Sequence, residues 1–222
     1  MQESNVKWYK KWWSILIIIA SVIFLALLLA FSLYIFSLAK KIAAEKNPTA
    51  SEKKYNAENE DSFHLGANNP KITIVEFSDF ACPFSKNSSP VIRDIVLKYN
   101  KDVKMIYRDF PVRQEYSMDL AMAARCAGEQ GLFWPMHDKL FQNQGISEKN
   151  QIESLAEEIG VNPAEFNDCL ENKKYLPQIQ KDYADATDLK ITGTPTWFIN
   201  GYKVEGDMPK ETWEKIIIEL LK

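Results

Sequence analysis

The chain has 222 residues, 46% of them hydrophobic, and a formal net charge of −3. That size and composition fit one globular domain with additions, and the near-neutral balance gives no support for nucleic-acid binding, which would want a basic surface. His64 and His137 stand too far apart for metal-ligand spacing, and no phosphate loop or dinucleotide fingerprint occurs, so no metal and no cofactor is expected.

Residues 1–11 are a short tail, and from Trp12 to Ala39 the chain carries no charge. About 28 residues of helix reach about 42 Å, beyond the ~30 Å core of a bilayer. Trp12 and Trp13 stand at one end, as interfacial anchors do. Ser37-Leu38-Ala39 resembles a small-residue cleavage site. The apolar run nevertheless exceeds the ~7–15 residues of a secretory signal. The reading is therefore a retained signal-anchor, a transmembrane helix over 12–39. Lysines flank both ends, with Lys7, Lys10 and Lys11 before it and Lys40, Lys41, Lys46, Lys53 and Lys54 after it. Their count does not favour placing the rest of the chain outside the cell. Residues 40–62 are polar and charged and read as a mobile tether. The folded part is expected over 63–222.

KITIVEF, residues 71–77, reads as a buried strand, with Thr73, Val75 and Phe77 on one face and Ile72, Ile74 and Glu76 on the other. Glu76 thus falls among apolar residues, where burial would raise its pKa. Residues 83–99 repeat apolar positions at helical spacing. Pro83 suits the first helical position and makes Cys82 the N-cap, while Pro90 is expected to kink this helix. A second strand follows over 103–110, then a mostly helical stretch over about 115–188. In it, Asn162-Pro163 marks a helix start. Asn200-Gly201 between PTWFI and YKVEG marks a type I′ hairpin. A last helix covers 209–221.

Cys82 is the candidate nucleophile. Unpaired N–H groups and the positive end of a helix dipole favour thiolate, the attacking species in disulfide exchange.

The element order, with a cysteine opening the first helix, resembles a thioredoxin-like α/β fold with a helical insertion, of the DsbA-like thiol–disulfide oxidoreductase type. TIVEFSDFACPF, YRDFP, CAGEQGLFWPMHDKLFQNQ and TGTPTWFING carry the resemblance across roughly 64–222. It implies that Cys82, Pro83, Phe84 and position 85 form the active-site motif. It further implies a cis bond before Pro195, with Thr194 offering backbone hydrogen bonds to a substrate peptide, and a proton-moving role for Glu76. Trp134 and His137 read as packing residues of the insertion. Kappa-type glutathione transferases share this architecture and use a serine, but Cys82 and the TGTP loop speak against that class.

The departure is Ser85, where the family pattern has cysteine. Cys82 can attack a disulfide, but Ser85 cannot resolve the product. Three accounts stay open: a monothiol exchanger or isomerase resolved by an outside thiol; resolution by Cys126 or Cys169; or a binding or chaperone-like module with reduced turnover. By the resemblance, Cys126 and Cys169 form a structural disulfide. Closing that loop stabilises by roughly 4 kcal/mol on the chain-entropy treatment. Such a bridge needs an oxidising compartment. This places the domain on the extracytoplasmic side of the cell membrane, with thiol- or disulfide-bearing proteins as substrates, an unidentified redox partner and no nucleic acid.

Overall fold

A computed structural model describes residues 9–46, 53–59 and 61–222. It divides into two compact units, Met1–Thr49 and Ala50–Lys222.

The first unit is the helix α1, Tyr9–Lys46. Its Ile15–Ala39 segment is long and apolar enough to cross a membrane. The hydroxyls of Ser21, Ser32 and Ser37 donate to the carbonyls of Ile17, Leu29 and Tyr34, so these polar groups are satisfied within the helix. Residues 40–46 were expected in the tether and are helical instead. Ala, Glu and Lys, strong helix formers, dominate that stretch and let α1 run on.

The second unit is built on a five-stranded sheet: β1 (His64–Gly66), β2 (Ile72–Ser78), β3 (Val103–Asp109), β4 (Thr196–Ile199) and β5 (Tyr202–Glu205), in the order β1-β3-β2-β4-β5. β2 and β3 are parallel, joined through α2 (Pro83–Lys98), and the other pairings are antiparallel. Alternation along β2 separates two cores. Ile72 and Ile74 meet Ile92, Ile95 and Val96 of α2 and Trp213 and Ile217 of the last helix, α8 (Lys210–Leu220). Val75 and Phe77 face Phe198, Ile106 and Ala186 on the other side. Pro90 lies inside α2 without ending it. The hairpin turn has positive φ at Asn200 (48°) and Gly201 (87°), as a type I′ turn requires.

β1 carries too short an alternation to announce itself in sequence. Gly66 fixes its place: φ is +96°, and an added Cβ would lie 2.2 Å from Val103 O, so only glycine fits.

The insertion comprises α3 (Ser117–Glu129), α4 (Phe133–Gln142), α5 (Lys149–Glu158), α6 (Pro163–Glu171) and α7 (Leu176–Asp188). Asn162 caps α6, accepting from the Ala164 and Glu165 amides. Cys126 of α3 and Cys169 of α6 are disulfide-bonded, with Cα atoms 5.8 Å apart and a sequence separation of 43. Replacing both with alanine should cost up to about 4 kcal/mol. The measurement is a urea midpoint, which should fall while helical content holds.

Buried charges bind the insertion to the sheet. Arg108 donates to Asp182, to Asp185 and to Ala57 O; Arg125 donates to Asp109 and Asp182. Burial pushes the Asp109 carboxyl up to about 6, with Arg125 opposing the rise.

The Ala57 contact revises the tether again. Tyr55 N donates to Gly201 O at 2.8 Å, its ring packs edge-on to Phe198, and Ala57 is buried. Residues 54–57 therefore form a strap over the Val75–Phe198 face rather than a free linker. Two apolar side chains and a carbonyl were enough to dock a stretch whose overall composition is polar.

Candidate active site

The turn between β2 and α2 carries Cys82. Pro83 occupies the first helical position, and Cys82 is the N-cap, extended at φ −83°, ψ 123°. Cys82 is the free cysteine of the chain and only 4% exposed. Its thiol donates to the carbonyl of Thr194 at 3.1 Å, across 112 residues of sequence. The Thr194–Pro195 bond is cis. The loop is tied down on both sides: Thr196 Oγ1 donates to Gly193 O, and Gly206 N donates to Pro195 O. The sequence-predicted Cys82, Thr194 and Pro195 are thus brought together. Ionising the thiol breaks its S–H···O bond and frees the Thr194 carbonyl, which can then accept from a peptide backbone.

Phe84 is well exposed beside Cys82 and offers an apolar surface next to the thiol. Ser85 is fully buried, one turn into the helix, and its hydroxyl has no hydrogen-bond partner among the described residues. A Ser85–Cys82 hydrogen bond is not formed. The geometry explains it: the thiol turns towards Thr194, away from the helix interior. Cys126 and Cys169, bonded to each other and buried, are not available as resolving thiols in this state.

Glu76 is fully buried on β2, opposite Tyr107 of β3 and Trp197 of β4. Among the described residues, neither carboxyl oxygen has a hydrogen-bond partner. Burial pushes its pKa up to about 8, and the nearby Ser78 hydroxyl offsets part of that. Glu76 does not touch Cys82 by a hydrogen bond. His137 is buried among Phe80, Tyr107, Trp134 and Phe141, with Nδ1 2.8 Å from Asp138 Oδ1. Burial lowers its pKa, which favours the neutral ring of a packing residue.

Two residues that hold the turn escaped the sequence reading. Asp79 accepts from Ala81 N at 2.8 Å with one oxygen and from Val112 N and Arg113 N with the other. The signal was present, since an aspartate accepting from an amide two residues on is the Asx-turn pattern. Gln144 donates to Phe80 O and Cys82 O, each at 2.8 Å. No local pattern announces it, because it comes from the insertion.

A thioredoxin family model matches residues 58–219. The chain belongs to the thioredoxin family. Among solved structures, this thioredoxin-family chain is similar to a periplasmic thioredoxin-like protein from Salmonella enterica serovar Typhimurium, with 28% identity, a TM-score of 0.66, and coverage of 74% of this chain and 94% of that one. It shares its fold with the thiol-disulfide exchange protein alpha-DsbA2 from Wolbachia pipientis, at 22% identity and a TM-score of 0.68, covering 73% and 88%. The curated relative Na(+)/H(+) antiporter NhaA 3 of Salinispora tropica is 33% identical over 144 residues, 64% of this chain. The chain spans only 22% of that relative's length. The DsbA-type architecture, a thioredoxin-like α/β domain with a helical insertion, is thereby established.

Proposed function

We propose that this protein is a membrane-anchored, extracytoplasmic thiol–disulfide exchanger that works with one thiol on exported proteins. The observation that carries the reading is Cys82 at the N-cap of α2, its sulfur 3.1 Å from the carbonyl beside a cis-proline. The Cys82 thiolate attacks one sulfur of a substrate disulfide. The substrate S–S bond breaks, a Cys82–substrate disulfide forms, and the other substrate sulfur leaves as a thiolate that takes up a proton. With serine at 85, the site cannot close its own bridge. A second thiol then attacks the substrate sulfur and releases Cys82. If that thiol belongs to the same substrate, the net result is isomerisation; if it comes from outside, the substrate loses one partner thiol and gains another.

Phe84, Thr194 and Pro195 line the peptide's approach, and Glu76 serves as a buried proton reservoir. The anchor is the Ile15–Ala39 segment of α1. The Cys126–Cys169 bridge supports the extracytoplasmic placement, because such bonds persist in oxidising compartments. Low exposure of Cys82 and the buried Ser85 favour a second reading, a peptide-binding module with little turnover. That reading requires peptide affinity that survives Cys82→Ser.

Sealed cells carrying the full chain, treated with a membrane-impermeant thiol reagent and read by peptide mass spectrometry, test the proposal. Cys82 should label from outside, with Cys126 and Cys169 recovered as one bridged peptide. Labelling only after lysis overturns the topology. A bridge from Cys82 to either other cysteine makes the protein a dithiol catalyst instead.

A further inference from the structure

Gln144 lies in the connection between α4 and α5, 62 residues beyond Cys82 in sequence. Its side-chain nitrogen donates to Phe80 O and to Cys82 O, both at 2.8 Å. A carboxamide nitrogen has two hydrogens, and both are used on the nucleophile turn. Cys82 O also accepts from Lys86 N at 3.0 Å, the first hydrogen bond of α2. On the opposite side, Asp79 ties the turn to the Val112–Arg113 backbone. The turn is therefore held between the loop after β3 and the helical insertion, and Gln144 is the insertion's contact with Cys82's own carbonyl.

That placement matters because, among the described residues, the one hydrogen bond of the Cys82 side chain is its thiol bond to Thr194 O. Its backbone sets the direction of the Cα–Cβ bond, and Gln144 holds that backbone together with Asp79 O and Lys86 N. Without the amide, Phe80 O loses this donor and Cys82 O keeps only Lys86 N, so the insertion no longer holds the turn. Displacing a reacting atom by even about 1 Å can cost up to about a hundredfold in rate.

We propose that Gln144 is a positioning residue for Cys82, through which the insertion fixes the nucleophile turn against the Thr194–Pro195 loop. The proposal rests on Cys82 as the reacting thiol.

The test uses the full chain in detergent micelles, as wild type, Gln144→Met and Gln144→Glu. Methionine keeps length and volume without an N–H donor. Glutamate keeps the shape and puts an ionised acceptor against two acceptors. With a peptide disulfide as probe, the saturating rate of mixed-disulfide formation should fall about fivefold in Gln144→Met, and further in Gln144→Glu. The half-saturating peptide concentration should stay unchanged, because the Thr194–Pro195 loop is untouched. Amide exchange at residues 81–86 should rise about fivefold while the thermal midpoint stays within about 3 °C. Unchanged amide exchange in both variants overturns the proposal. So does a rate loss that disappears well below the thermal midpoint, which marks a purely structural role. Should the wild type form no mixed disulfide, the exchange reading fails, and the amide-exchange comparison still decides the role of Gln144.

Discussion

Cys82→Ser should reduce mixed-disulfide formation with a peptide disulfide to background, while Ser85→Cys should turn the protein into a dithiol oxidase that cycles when glutathione disulfide is supplied as the oxidant. The first effect follows from chemistry. A hydroxyl at the N-cap is not ionised at neutral pH and does not attack sulfur, whereas a thiolate does. The second follows from place. Position 85 lies one turn beyond Cys82 at the start of α2, where two Cα atoms come within the span of a disulfide. The Ser85 hydroxyl makes no hydrogen bond that a thiol would have to forgo. Mixed-disulfide formation with the peptide disulfide reads Cys82→Ser, and oxidation of a reduced dithiol peptide with glutathione disulfide present reads Ser85→Cys. Exchange that persists in Cys82→Ser would sink the catalytic reading. If Ser85→Cys gains no turnover with glutathione disulfide present, turnover is limited by something other than the missing sulfur.

The second large effect is on stability, and it depends on pH. Glu76 is wholly buried, without hydrogen-bond partners, and burial pushes its carboxyl from the ordinary 4.5 up to about 8. A raised pKa means the folded state holds the proton more tightly than the unfolded state. The stability this gives is fully present below about 4.5 and is lost as pH rises through about 8. Glutamine keeps the shape and cannot ionise. Glu76→Gln should therefore match the wild type at pH 4 and exceed it increasingly up to pH 8. The gain approaches about 5 kcal/mol at 1.36 kcal/mol per pKa unit. Urea unfolding of both proteins at pH 4, 6 and 8 reads it. Parallel stability curves would show that Glu76 is ionised and satisfied by something the folded chain supplies. Burying this carboxyl has a cost, which the rest of the fold offsets at neutral pH.

Much of the fold was legible because its strands are strongly patterned. Alternation over 72–77 correctly separated Ile72, Ile74 and Glu76 from Val75 and Phe77, and the Asn200-Gly201 turn announced its hairpin. The Pro83 helix start located Cys82 as the N-cap. What sequence could not supply was long-range. β1 is three residues long and exists because β3 offers it an edge. The Arg108–Asp182 and Arg125–Asp109 pairs join β3 to the helical insertion, a pairing no local pattern announces. Gln144 is one polar residue among many until the fold brings it to Cys82 O. The polar composition of 54–57 hid two well-placed apolar side chains, Tyr55 and Ala57.

That last feature sets where the chain can be cut. A shortened protein beginning at Phe63 keeps every strand, every helix of the insertion and all three cysteines, and looks complete on paper. It would nevertheless leave Phe198 and Val75 open to water and take Ala57 O from a guanidinium only 1% exposed. Such a product invites aggregation through the bared face of its sheet. Proteases that clip between Tyr55 and Phe63 would inflict the same damage from outside. Soluble versions should begin before Lys53, and the strap belongs to the folded body, not to the leash.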